Sequence, residues 1–189
     1  MATWGPTGIA ATGDDGYEEA GGWANDGVYC GHTGSSTLNC GLRWLNVTVP
    51  AGATVTSATI TMHARSVSGT VTNVHGTFYG DDVDDAAAWS STSRPSQVTQ
   101  TSASQDFDPS AWVSYTDYSY DVAAIIAEII ARAGWESGQD IRIALLNDSS
   151  VSGSYVRVFD YVDAVAATRL TIVYTEGGAV DSNFIFSRW

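Results

Sequence analysis

Residues 41–64, Gly41 to Ala64, read GLRWLNVTVPAGATVTSATITMHA. The pattern is strand, turn, strand. Leu42, Trp44, Val47 and Val49 are the apolar beads of the first arm, with a slip in phase around Leu45. Pro50-Ala51-Gly52-Ala53 supplies the turn, because Pro fixes φ and Gly tolerates positive φ. In the second arm Thr56, Ala58, Ile60, Met62 and Ala64 alternate with Val55, Ser57, Thr59, Thr61 and His63. The first of these sets is the more apolar and is assigned to the core face. Thr and Val dominate, as a half-buried pleated surface favours. The two arms are read as a hairpin that the rest of the chain pairs with and covers.

Upstream, a short strand is expected near Thr7–Thr12, then a loop through Asp14-Asp15-Gly16-Tyr17-Glu18-Glu19, then a short strand at Val28–Cys30. Downstream, Thr70–Tyr79 alternates as a strand with Thr72, Val74, Gly76 and Phe78 on one face. Residues 86–111 form a long Ser/Thr/Gln-rich excursion over the surface, with a strand at Val98–Ser102. Trp112, Tyr115, Tyr118 and Tyr120 follow as an aromatic strand. Asp121–Gly134 is the one clear helix: Asp121 can cap it, Gly134 can end it, and Val122, Ile125, Ile126, Ile129 and Ile130 form one apolar stripe. That stripe should seal an open end or edge of a sheet. Glu128 and Arg132 are spaced to pair on its wet side. Ile141–Leu146, Tyr155–Phe159 and Arg169–Tyr174 complete eight or nine short strands. The pattern predicts an all-β antiparallel jelly-roll sandwich with one amphipathic helix. This domain spans 1–175. A C-terminal arm, 176–189, follows a Gly-Gly joint and loads Phe184, Ile185, Phe186 and Trp189 on the chain end. It is read as docking onto another chain.

The 189 residues are 44% hydrophobic and suit one domain with a real core. Net charge is −13, from 21 acidic residues against 8 basic ones, and every basic residue is Arg. An acidic surface repels phosphate backbones and anionic lipid, which argues against nucleic-acid and membrane partners. It favours solubility, cation binding or a basic protein partner. No signal-peptide pattern is visible at the start and no run of 18 apolar residues exists, so a protein made in a cytoplasm is expected.

Several side chains are candidates for chemistry. Calcium is the most reasonable ion: Asp14, Asp15, Glu18 and Glu19 near the start could meet Asp160 or Asp163 near the end, and Ca²⁺ takes several hard oxygens. The Asp81-Asp82-Val83-Asp84-Asp85 loop is a second candidate. Trp23, Trp89, Trp112 and Trp135 sit in or beside loops, where they either stack on a glycan or plug the ends of the sandwich. Cys30 and Cys40 are spaced for a loop staple, as a disulfide or as two free thiols. The three His (His32, His63, His75) show no zinc spacing, and no Gly-x-Ser-x-Gly elbow occurs. The sequence does not point to an enzyme.

The order of these pieces resembles a jelly-roll module of phage structural and bacterial surface proteins, similar in layout to DNRLRE-type and carbohydrate-binding-module-like sandwiches. The matching pieces are the acidic opening Asp14–Glu19, Gly41-Leu42-Arg43-Trp44, Val49 to Ala58, the Tyr120–Trp135 helix ending in Gly-Trp, and Phe159-Asp160 before the closing strand Thr168–Tyr174. The resemblance implies a virion structural protein: a capsid-surface decoration (cement) protein or a head-fibre or tail accessory part. Such a protein is expected to be a trimer anchored to a capsid or other virion protein through its arm. The alternative it implies is a carbohydrate-binding or adhesion module for host surface glycans.

Overall fold

The computed structural model describes residues 1–163 and 167–177, the side chain of Asp163 excepted. Residues 178–189, with the expected docking side chains Phe184, Ile185, Phe186 and Trp189, lie outside the described residues. The strands are β1 (Ala2–Gly8), β2 (Asp15–Glu19), β3 (Gly22–Ala24), β4 (Val28–His32), β5 (Thr37–Val47), β6 (Thr54–Ser68), β7 (Gly76–Asp81), β8 (Gln100–Phe107), β9 (Asp117–Asp121), β10 (Gln139–Asn147), β11 (Tyr155–Val158) and β12 (Arg169–Thr175). One helix, α1 (Ala123–Ile130), follows β9. All strand pairs are antiparallel. The order is β1-β12-β6-β11-β4-β5-β10-β7-β8, with β2 also on β5, β3 on β2 and β9 on β6. The curled sheet makes the all-β jelly-roll sandwich that the alternation predicts.

The 41–64 stretch does form two strands, but they are not a hairpin. β5 pairs with β2, β4 and β10, whereas β6 pairs with β12, β9 and β11. The Pro50–Gly52 turn therefore carries the chain from one layer to the other. The slip in phase near Leu45 is a bulge. Trp44 pairs with Ile141 and Val47 with Gln139, so β5 spends one more residue than β10 over this interval, and Asn46 takes φ 53°. Trp44 and Val47 both stay buried as a result. A second bulge explains Thr56, which is exposed rather than buried: Val55 pairs with Tyr174 but Ser57 with Val173. Beyond it Ala58, Ile60, Met62 and Ala64 all face the core, as expected.

β6 is the corner of the sandwich. Its first part, Thr54–Thr61, pairs with β12, and Thr59–His63 pairs with β9 on the other side. Its last part, Ala64–Ser68, pairs with β11. Between the layers lie Trp4, Leu42, Trp44, Ile60, Met62, Phe78, Phe107, Ile143 and Leu145. Fully burying one such side chain is worth about 1.5–3 kcal/mol.

Several elements differ from expectation. The first strand runs Ala2–Gly8 rather than Thr7–Thr12, and the acidic opening is strand β2, not a loop. Residues Val71–Asn73 form a 3-10 turn, so only the later half of 70–79 is extended. The helix is shorter than 121–134. Asp121 ends β9 while its carboxylate accepts the Ala123 N–H at 2.9 Å. Ile130 ends the helix four residues before Gly134. Ile125, Ile126, Ile129 and Ile130 are buried, and α1 packs on β8, β7 and β6. Glu128 does not pair with Arg132. Its two carboxylate oxygens accept the Ser102 and Ala103 N–H groups of β8 at 2.7 and 2.8 Å. Those donors belong to a sheet edge, and a charged acceptor blunts it. Replacing Glu128 by Ala is expected to cost about 1–3 kcal/mol in chemical denaturation, with Gln retaining part of the loss.

Candidate functional site

The acidic opening organises the outer face of β2, β5 and β10. Alternation along β2 splits its carboxylates. Asp14 and Glu18 are buried against arginines: Arg43 reaches Asp14 at 2.7 Å and Arg94 reaches Glu18 at 3.0 Å. Glu18 also accepts the Ser96 N–H at 2.9 Å and the Ser96 hydroxyl at 2.7 Å. Burial alone would raise the Glu18 pKa, but the Ser96, Asn39 and Arg94 hydrogen bonds outweigh it and hold the carboxyl below its ordinary value. Glu19 lies apart and accepts from the Thr33 hydroxyl at 3.4 Å. The expected calcium set thus points in different directions, because a strand sends successive side chains to opposite faces. Among the described residues, no three His, Cys, Asp or Glu side chains come together to hold a metal ion. The second acidic loop is likewise drawn onto arginines: Asp81 to Arg142, Asp82 and Asp84 to Arg132.

The same face carries the excursion that follows β7. Trp89 is buried, its ring 5.7 Å from that of half-buried Trp23. The Arg142 guanidinium lies 4.5 Å from the Trp89 ring centroid while its Nε donates to Asp81 at 2.6 Å. Arg142 also donates to the Ser93 hydroxyl at 2.7 Å and to the Ala87 carbonyl at 3.3 Å. Gly41 makes room for the pair, since a Cβ there would stand 2.8 Å from Trp89 and 3.0 Å from Trp23. Arg43 spans Asp14, Asp140 and the Ala86 carbonyl. Sequence reasoning missed Arg43, Arg94, Arg142 and Asp140. The total absence of Lys was the available signal, because only guanidinium can fork between acceptors and stack on a ring at once.

The expected sugar platforms are not free rings. Trp89, Trp112 and Trp135 are all buried. Trp112 donates to the Arg157 carbonyl and stacks on Tyr118 with centroids 4.9 Å apart. Trp135 donates to the Val49 carbonyl at 3.0 Å, fixing the crossover between the layers. They plug the sandwich, the other reading the sequence allowed. Cys30 and Cys40 are buried free thiols on adjacent strands. Burial pushes both thiols up, so neither ionises readily.

Asp15 is the anomaly. It is 1% exposed, its Oδ2 accepts the Tyr161 N–H at 2.9 Å, and its Oδ1 has no partner. The opening of the chain therefore does meet the Asp160 segment, as expected. Burial lifts Asp15 to about 7, against the Tyr161 hydrogen bond, with the Asp160 and Asp14 charges adding to the rise.

No protein-family model matches the chain, and no curated protein is similar to it.

Two outcomes follow from these arrangements. Arg142→Met should cost about 3–5 kcal/mol, because it strands Asp81 as a buried charge. Adding Asp81→Asn should recover much of that loss in a double-mutant cycle. For Asp15, the native state holds a proton that the unfolded state releases near pH 4, so stability falls as pH rises from about 4 to about 7 and then levels. The Asp15→Asn variant should gain on the parent over that window, by at most about 4 kcal/mol, in denaturant midpoints measured at pH 4 and pH 8.

Proposed function

We propose that the chain is a bacteriophage virion structural protein: a capsid-surface decoration protein, or a head-fibre or tail accessory component, working through protein–protein contacts. The observation that supports this reading is where the arginines go. Arg43, Arg94, Arg132, Arg142 and Arg169 pair with the chain's own carboxylates. Arg65 and Arg157 lie over the Phe159 and Tyr29 rings. These seven arginines thus serve internal order, while Asp26, Asp106, Asp121, Glu136 and Asp148 remain as exposed carboxylates. Such an exterior complements a basic protein surface and disfavours nucleic acid.

The termini suit the same role. β12 ends at Thr175 opposite Thr54, and Gly177 comes against the Gly52 backbone. β12 is the last strand among the described residues, and the segment bearing Phe184, Ile185, Phe186 and Trp189 follows it in sequence. Burying those side chains on a neighbour would contribute about 1.5–3 kcal/mol each. Repeating the contact in a trimer adds avidity. Adhesion to glycans through Trp23, Trp89, Trp112 and Trp135 has less support, since the sandwich covers the last three rings and half-buried Trp23 packs beside Trp89.

The test compares the full chain with a version cut after Glu176, by light scattering and co-sedimentation with candidate capsids. The full chain should trimerise or co-sediment and the shortened one should do neither. Two monomers that both ignore capsids would sink the proposal.

A further inference from the structure

β9 (Asp117–Asp121) closes one side of its layer. It pairs with β6, and among the described residues no strand lies on its other side. We propose that this open edge is the receiving site for the C-terminal arm, residues 178–189, of a second copy of the chain, which adds there as a further strand. This rests on the reading of that segment as a docking arm and gives the arm a site.

The hydrogen bonds decide which backbone groups point outward. Alternate residues of an antiparallel strand turn their N–H and C=O groups to the same neighbour. The Val122 N–H donates to the Ala58 carbonyl at 2.8 Å, and the Ala64 N–H donates to the Thr116 carbonyl at 2.9 Å. In this register Tyr118 and Tyr120 face Met62 and Ile60. Asp117, Ser119 and Asp121 therefore aim their backbone groups away from β6. The other edges are blunted, as edges usually are, by charge, proline or shortness. Glu128 occupies the Ser102 and Ala103 N–H groups of β8. β1 carries Pro6 and a shift in register between Trp4 and Thr7. β3 has only 3 residues. On β9 the flanking carboxylates are already engaged. Asp117 meets His63 at 2.7 Å and Arg169 at 2.5 Å, and Asp121 accepts the Ala123 N–H.

The side chains suit the arm. A cleft of about 190 Å³ lies at the same edge, and its lining includes Pro109, Ala111, Tyr118 and Tyr120. An extended arm places Phe184 and Phe186 on one face. That face can meet the cleft while the arm backbone pairs with Ser119, the usual division of labour when a strand is added to an edge. Connectivity points to a second copy. β12 has β1 on one side and β6 on the other, so the arm has no slot beside the strand it leaves. Gly177 lies against Gly52, on the connection that enters β6. An arm bound for its own β9 would cross that connection at the same end of the layer, which chains avoid. The edge of another copy is approached from outside. Residues 178–189 span about 40 Å when extended, and pairing along β9 uses only about 17 Å of that. Arm and edge are different surfaces, so the contact is heterologous and can close into a ring.

The experiment mixes full-length chains. One is isotope-labelled and carries Phe184→Asp and Phe186→Asp, which disable its own arm; the other is the unlabelled parent. Amide shifts and hydrogen exchange are read by NMR. The parent should shift the Ser119 amide of the labelled chain saturably and slow its exchange about tenfold or more, while the Tyr118 and Tyr120 amides, which face β6, change little. An unlabelled copy of the double variant should do neither. Ser119→Pro removes an outward N–H and no bond to β6, so it should weaken self-association of the parent about tenfold or more. The proposal is overturned if Ser119 does not respond to the parent, or if the Ser119→Pro chain folds and self-associates unchanged. Should the full chain associate through its arm while Ser119 stays silent, this site alone fails and the virion reading stands. A full chain that stays monomeric and ignores capsids sinks both.

Discussion

Thr54–Ser68 has to belong to two layers at once. Its first eight residues pair with β12, Thr59–His63 pair with β9 on the other side, and its last five run beside β11. A single strand that joins both layers fixes their relative position through backbone hydrogen bonds alone. Its core face alternates over Ala58, Ile60, Met62 and Ala64, and a bulge at Arg65 resets the register where the strand passes to β11. A slip by one residue would turn that whole set outward. The crossing before it is fixed as firmly, by Trp135 donating to the Val49 carbonyl.

The second constraint is electrostatic. A chain with 21 acidic and 8 basic residues carries net self-repulsion and has few cations to offset it. The protein concentrates them. Arg43 ties β5 to Asp14 ahead of β2, to Asp140 of β10 and to the Ala86 carbonyl. Arg142 ties β10 to Asp81 of β7 and to the excursion beyond it. Each guanidinium therefore joins segments distant in sequence, which a hairpin contact cannot do. Ahead of β8, the polar excursion holds only a 3-10 turn at Pro95–Gln97 and stays on the sheet through Trp89, Ser93 and Ser96.

Periodicity carried most of the fold. The alternation in β6 beyond Thr56 and in β12, and the isoleucine stripe of α1, are backbone-period signals that the structure keeps. What periodicity could not convey was pairing. Residues 41–64 look like a hairpin because a Pro-Gly turn between two strands usually makes one, yet which strand lies beside which depends on distant partners. The acidic opening was misread for another reason. A run of Asp and Glu has low strand propensity, and only tertiary contact with Arg43 and Arg94 makes β2 favourable. The tryptophans were ambiguous from composition alone, since ring burial depends on what covers a loop. The proximity of Asp14–Glu19 to the Asp160 segment was anticipated, as part of a calcium site; here the Tyr161 N–H bond to Asp15 joins the two.

The absence of Lys then becomes intelligible as structure rather than bias. Arg43 donates to three acceptors in three directions, and Arg132 spans Asp82 and Asp84. Arg142 stacks its flat face on Trp89 while its edge meets Asp81. An ammonium has no flat face to stack and no fixed fork, so a Lys at any of these positions would leave a carboxylate or carbonyl unmet in a partly buried place. Lys at exposed positions would instead neutralise the exterior. Among the described residues the guanidinium groups turn to the chain's own carboxylates, carbonyls and rings, which ties distant segments together and leaves the outside acidic.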